Sequence, residues 1–381
     1  MRKLRRAANR HASSLLLIGL AVIALANLRK RRDDKRLASR ILAEMAGPRP
    51  ALKAMPCVSI LVAAWNEADV IERHIASVQA LRYPHKEYIV CAGGPDGTYE
   101  LARRHAGPGI QVLEQHPGEG KQASLRRALQ HASGEIIFLT DSDCLLDDDG
   151  FERVLAGLVN HDDAVAASGG IRPCPEQRRN PFVFHQWSQQ VYALWHMPES
   201  VTGLVGANCA VRRDALLASG ALDDAVASGT DYYLAKRLLA NGGVIVHVAA
   251  ATASTGYPES WRAYRRQQSR WLRNVALHGA RFGAFGEVRA ALRTSLIGLV
   301  MTVLPVAALW VGPVALTLWL LAFTQAYAGK QRYYELARTV AGGDAALPGA
   351  MAAAVYTAGE FPVWTAPLLQ LVMWPWKPLS W

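Results

Sequence analysis

Residues 134–144 read GEIIFLTDSDC: four apolar residues, then Thr140 and two aspartates, Asp141 and Asp143, separated only by Ser142. A short apolar run between a glycine and a polar turn predicts a buried strand over 135–140. Two carboxylates one residue apart at a strand end can serve one hard cation together. Mg2+ or Mn2+ favours oxygen ligands and commonly shares them with substrate phosphates. Asp147, Asp148 and Asp149 follow closely. Acidic clusters are therefore cheap in this chain, and the Asp141–Asp143 pair gains meaning only from what surrounds it.

Working outward, apolar runs at 58–63, 88–92, 110–113, 164–168 and 244–248 predict further strands. Helical periodicity predicts helices over 68–81, 99–105, 121–131, 151–160 and 232–240. Strand and helix in alternation imply an α/β domain over 57–258, Rossmann-like, with a mostly parallel sheet. Ligands bind such sheets at the carboxyl ends of the strands. At those ends lie the polar turn that closes VSILVAAWNE (58–67) and the glycine-rich CAGGPDGT (91–98). Gly118-Glu119-Gly120-Lys121 opens the helix that leads into the Asp-Ser-Asp strand. Glycines admit close backbone approach, and a helix N-terminus with a lysine suits phosphate.

In this order and spacing the segments resemble glycosyltransferase family 2, with its GT-A nucleotide-sugar fold, over roughly 57–273. Downstream, GLVGANCAVRR (203–213) looks like the acceptor-side segment, and Gly229-Thr230-Asp231 resembles the family's Glu-Asp helix. Gln267-Gln268-Ser269-Arg270-Trp271 matches the QxxRW motif of membrane members such as cellulose, chitin and hyaluronan synthases and ceramide glucosyltransferase. The resemblance implies an enzyme, a hexosyltransferase, in which Asp231 is the catalytic base and Asp143, with Asp141, holds Mg2+ or Mn2+. It implies nucleotide-sugar binding by Ala63, Glu67, Asp96, Lys121, Asp141 and Ser142, and diphosphate or acceptor contacts from Gln267, Arg270 and Trp271. Cys91-Ala92 stand where the family usually carries paired aspartates, so the base is open and UDP is the default. Thr230 replaces the usual glutamate before the base.

The needs of the chemistry agree with these roles. Displacing a nucleoside diphosphate builds negative charge on the leaving phosphate, which a cation and an arginine fork can offset. The acceptor hydroxyl must lose a proton, which a single positioned carboxylate can take. One base without a second nucleophilic carboxylate points to single displacement with inversion. The expected partners are a nucleotide-diphospho-sugar donor, a lipid or glycan acceptor, and membrane lipids. A processive polysaccharide synthase and a non-catalytic nucleotide-sugar-binding subunit are the alternative readings.

Charge and hydropathy place the domain at a membrane. Hydrophobic residues make up 51% of the 381, high for a soluble enzyme. The net charge of +11 would suit a nucleic-acid partner if it were spread over the fold. Residues 1–40 instead hold twelve Lys or Arg against two Asp, which leaves the rest close to neutral and gives no reason for a nucleic-acid groove. The apolar stretch 13–28 fits a retained anchor or a cleaved signal, with Ala24-Leu25-Ala26 as the cleavage site. Arg29-Lys30-Arg31-Arg32 follows at once and favours an anchor with the next domain in the cytoplasm. Five cysteines without metal-ligand spacing read as free thiols.

Residues 1–40 are thus expected as the anchor, 41–56 as a linker or surface helix, 259–292 as interfacial helices and 293–381 as two or three transmembrane helices. Breaks are expected at Pro305 and Gly312-Pro313, with an interfacial belt of Trp310, Trp319, Trp364, Trp374, Trp376 and Trp381. The expected location is integral to the cell inner or plasma membrane.

Overall fold

The N-terminal basic and apolar residues form one unbroken helix, α1 (Arg2–Ala46), in the computed structural model, which describes residues 2–342 and 345–373. The helix runs on into residues 41–46, the start of the segment expected as a linker or surface helix. Nothing stops it earlier, because the first proline is Pro48 and good helix formers fill the basic stretch. The chain then alternates through β1 (Val58–Trp65), α2 (Ile71–Gln79), β2 (Lys86–Gly93), α3 (Thr98–Arg103), β3 (Ile110–Glu114), α4 (Gly120–His131), β4 (Ile136–Leu139), α5 (Asp148–Val159) and β5 (Ala164–Pro173). After α6 (Pro181–His196) come β6 (Cys209–Arg212), α7 (Arg213–Ser219), α8 (Thr230–Ala240) and β7 (Val244–Thr255). Four helices follow: α9 (Trp261–Arg281), α10 (Phe285–Val311), α11 (Pro313–Ala341) and α12 (Ala350–Met373).

These elements form two compact units. The α/β unit holds Met45–Gln177 and His196–Tyr257. Its seven strands run in the order β3-β2-β1-β4-β6-β5-β7. Neighbours are parallel except at β6, which is antiparallel to both β4 and β5. The sheet is mostly parallel, as the alternation predicts, but four-residue β6 was not foreseen. Alternate side chains of β1 and β2 fill two cores: Ile60, Val62, Tyr88 and Val90 pack with Phe138 and Phe151, while Leu61, Ile89 and Cys91 pack with Leu125, Ile137 and Leu139. That burial on both faces explains why these strands read as continuous apolar runs. The register sets Trp65 of β1 opposite Gly93 of β2, and Leu61 opposite Leu139 of β4. Loops after β1, β2 and β4 therefore leave the same edge.

The helical unit includes α6 and α9–α12 with most of α1. Its apolar stretch 295–327 breaks only at Gly312 (φ 99°), with Pro313 at the first position of α11. Pro305 lies inside α10, which continues through it. Among the described residues, Ala12–Ala46 and Phe285–Trp310 are long and apolar enough to cross a membrane. The α10 face carrying Val303, Val306, Leu309 and Trp310 is exposed, as are Leu17, Ile18, Val22 and Leu25 of α1. Trp319 donates its indole N–H to Met301 O at 2.9 Å, so it is packed within the helices. Trp374, Trp376 and Trp381 lie outside the described residues.

Candidate active site

The turn after β4 is tight. Cys144 N donates to Asp141 O at 3.0 Å, and oxygens of Asp141 and Asp143 lie within 4.8 Å of one another and of the Cys144 sulfur. Three groups hold this turn from beneath. His74, fully buried on α2, meets Cys144 O through Nδ1 at 2.6 Å. Leu145 and Ser254 exchange backbone hydrogen bonds at 2.7 and 3.0 Å, and the Thr255 hydroxyl donates to Asp143 Oδ2 at 3.3 Å. Thr140 anchors the strand end by donating its hydroxyl to Ala207 O at 2.9 Å. Burial, and then the neighbouring Asp141 charge, raise the Asp143 pKa above the ordinary aspartate value.

The loops after β1 and β2 are fastened together. Asp96 accepts from Ala68 N at 3.0 Å and from the Thr98 hydroxyl at 2.7 Å, while Glu67 N donates to Thr98 Oγ1 at 2.8 Å. Gly94, at φ 119°, packs where a Cβ would sit 2.8 Å from Asn66 N, and Asn66 itself takes the left-handed conformation at φ 59°. Only glycine fits that approach without strain. Burial, then the charges of Asp143, Asp141 and Asp96, push the Glu67 carboxyl up to about 7. So much negative charge in one place is what a bound cation would relieve.

Lys121, in the first turn of α4, forms an ion pair with Asp141. Burial works against its ammonium, but the Asp141 and Asp231 carboxylates overcome this and raise its pKa. Asp231 lies in the first turn of α8 behind Gly229, which caps the helix at φ 73°. Gly206 packs directly on it, since a Cβ there would lie 2.8 Å from Asp231 Cβ.

The fold therefore brings Glu67, Asp96, Lys121, Asp141, Asp143 and Asp231 into one region of the α/β unit. Ser142 is there too, 4% exposed, and Ala63 lies on β1 opposite Cys91, whose thiol donates to Ser124 O at 3.2 Å. Gln267, Arg270 and Trp271 lie on α9 of the helical unit, with Trp271 exposed. Reasoning from the sequence missed the parts played by His74, Thr255 and Gly206. Gly206 falls in the quoted 203–213 segment, whereas His74 and Thr255 carry no local signal.

The oxygen-rich donor set of Asp141 and Asp143 fits Mg2+ or Mn2+. Burial, then the Asp143 charge, raise the Cys144 thiol well above its usual value. That keeps it protonated, which suits a hard cation held by oxygen rather than by thiolate.

A mostly parallel seven-stranded sheet with an acidic cluster in the turn after β4 has the architecture of a GT-A-like fold. The sequence profile of "Glycosyltransferase like family 2" matches residues 56–274, more than half of the chain, and the chain belongs to that family. The probable glycosyltransferase YdaM of Bacillus subtilis (strain 168) is 27% identical over 241 residues, 59% of this chain and 56% of that protein. The poly-beta-1,6-N-acetyl-D-glucosamine synthase of Staphylococcus epidermidis is 31% identical over 97 residues, 24% of this chain and 23% of that one. The chain thus matches little more than half the length of these curated relatives at most. Among solved structures, the mannosyltransferase PcManGT of Pyrobaculum calidifontis, in complex with GDP-Man and Mn2+, superposes with a TM-score of 0.52 at 20% identity, covering 96% of this chain and all of that one. That likeness shows the shared fold.

Proposed function

We propose that the protein is a membrane-bound, inverting glycosyltransferase that moves one sugar from a nucleotide-diphospho-sugar to a lipid-linked or membrane-proximal acceptor. The observation that carries this reading is the meeting of Glu67, Asp141, Asp143, Lys121 and Asp231 at one sheet edge. The donor-binding residues are Ala63, Glu67, Asp96, Lys121, Asp141 and Ser142, with a uridine nucleotide as the default base. Asp141 and Asp143 would hold Mg2+ or Mn2+, which supplies Lewis-acid neutralisation of the departing diphosphate. Lys121 carries a fixed positive charge beside the same oxygens. Asp231 takes the acceptor hydroxyl proton as the new glycosidic bond forms and the bond to the nucleoside diphosphate breaks, a single displacement that inverts the sugar. Arg270 clamps diphosphate oxygens through its guanidinium fork, and Trp271 offers a flat face to the acceptor.

The membrane reading is supported by how α1 is fixed. Asp34 and Arg332 form a buried pair at 2.6 and 3.0 Å, and Asn27 Nδ2 donates to Gln325 Oε1 at 3.2 Å. A segment tied so closely to α11 fits a retained anchor better than a cleaved signal. The basic residues after the apolar stretch favour a cytoplasmic α/β unit.

Purified protein in detergent, given a panel of nucleotide-sugars with Mn2+, is expected to release nucleotide from one of them. Asp231→Asn should keep donor affinity and lose transfer by about 10²–10⁴-fold. An Asp231→Asn enzyme that transfers normally overturns the assignment. The match to a poly-N-acetylglucosamine synthase gives a second reading, processive polymer synthesis, which product length decides.

A further inference from the structure

The α/β site makes no use of a fully buried ion cluster in the helical unit. Glu360 of α12 and His185 of α6 are both 0% exposed, and Lys330 of α11 is 5% exposed. The Glu360 carboxylate stands at the centre. Oε2 pairs with Lys330 Nζ at 2.6 Å, while Oε1 meets His185 Nε2 at 2.9 Å. Gln189 of α6 donates to the same oxygen, as does the Tyr264 hydroxyl of α9 at 3.2 Å. The imidazole completes the set, with Nε2 facing Glu360 Oε1 and Nδ1 lying 2.6 Å from Tyr334 Oη. One carboxylate thus joins four helices.

A buried ion pair is a poor way to gain stability, since desolvation offsets most of its attraction. Its value lies in direction: each partner accepts only one arrangement. The partner of interest is Tyr264, because α9 also carries Gln267, Arg270 and Trp271, the first of them one turn further along. Apolar contacts fasten the same end of α9. The Phe182 ring lies 4.7 Å from Trp261 and 5.8 Å from Tyr264, centroid to centroid. A Cβ on Gly359 would lie 2.7 Å from Cζ2 of Trp261, so the glycine before Glu360 lets that indole seat against α12. The Tyr264–Glu360 hydrogen bond adds a directional contact between α9 and α12 at this packed end.

We propose that Glu360 is a positioning residue for sugar transfer, acting through Tyr264 to hold α9 in the rotation that presents Arg270 and Trp271. This rests on the reading above that Arg270 and Trp271 serve the reaction. A misplacement of about 1 Å in such a group can cost about 10²-fold in rate.

Glu360→Gln leaves Lys330 buried without its counter-charge and can fail to fold, so the test removes single hydroxyls. Tyr264→Phe deletes the bond to α9. Tyr334→Phe deletes an equally buried hydroxyl of the same cluster that does not reach α9. Both are expected to lower the melting temperature in detergent to a similar small extent. Tyr264→Phe alone should lower kcat by about tenfold with donor KM within about twofold, and should cost nothing further once both side chains that α9 presents are removed, in an Arg270→Ala/Trp271→Ala background. Wild-type kcat in Tyr264→Phe overturns the proposal, as does an equal fall in both tyrosine variants, which would mark the cluster as structural alone. Arg270→Ala with full transfer refutes the role of α9 itself, a failure told apart because it appears in the single arginine variant.

Discussion

Replacing Gly206 by alanine tests the general-base role proposed for Asp231 through a residue packed against it. The new Cβ would stand 2.8 Å from Asp231 Cβ and 3.5 Å from its Cγ, against 3.4–4 Å for ordinary contact. The gap must open by about 0.6 Å, because the atoms that meet are both at the stiff root of a side chain. The displacement falls on the first turn of α8, where Asp231 follows the left-handed cap Gly229. A shift of that size in a proton-accepting group corresponds to a loss of roughly tenfold to fiftyfold in kcat, or about 1.4–2.3 kcal/mol of barrier. The three atoms nearest the new methyl all belong to Asp231, so donor and cation affinity should stay unchanged. The assay is turnover by released nucleotide, beside donor affinity by calorimetry. In an Asp231→Asn background the alanine should add nothing, since the base it displaces is already gone. A Gly206→Ala enzyme with wild-type kcat, or one whose loss persists in full in the double variant, would show that Asp231 is not the group being positioned.

Asp143→Asn should weaken Mn2+ binding and lower turnover, each by at least about 10²-fold, because the cation loses a charged ligand; titration of Mn2+ with and without donor checks it. Activity that survives a chelator would refute the metal assignment. Burial holds the His74 pKa down at about 4, against 6.5 in the unfolded chain. As pH falls from 6.5 towards 4 the unfolded state binds a proton that the folded state refuses, so stability should drop by up to about 3 kcal/mol. His74→Asn should flatten that dependence in melting curves taken across the same range. Four of the five cysteines are buried, so an impermeant thiol reagent needs an added target such as exposed Arg104→Cys. In intact cells that residue should stay unlabelled until the membrane is permeabilised, and ready labelling from outside would reverse the orientation.

What the sequence made legible was the part of the fold built from local regularity. β1, β2 and β4 are apolar on both faces, so they stand out as uninterrupted runs, and the residues just past each run had to lie on one edge once the strands were parallel. Asp96, Asp141 and Asp143 were found that way. β6 escaped because four residues, Cys209–Arg212, are too few to show a period. β5 was read short because Gly169 and Gly170 look like a turn, although pairing with β7 carries the strand on to Pro173. α6 was not read from the sequence, and nothing local says which unit a helix will pack into. Glu360 shows the same limit in energetic form. In the sequence it is one carboxylate in an apolar run, and what settles its surroundings lies far off in the chain, with Lys330 and Tyr264 on other helices and His185 175 residues away. Local pattern reports which residues a strand or helix buries. Which buried charge meets which counter-charge is fixed only when distant helices pack, and that pairing separates the Glu360 cluster from the half-buried acids at the sheet edge.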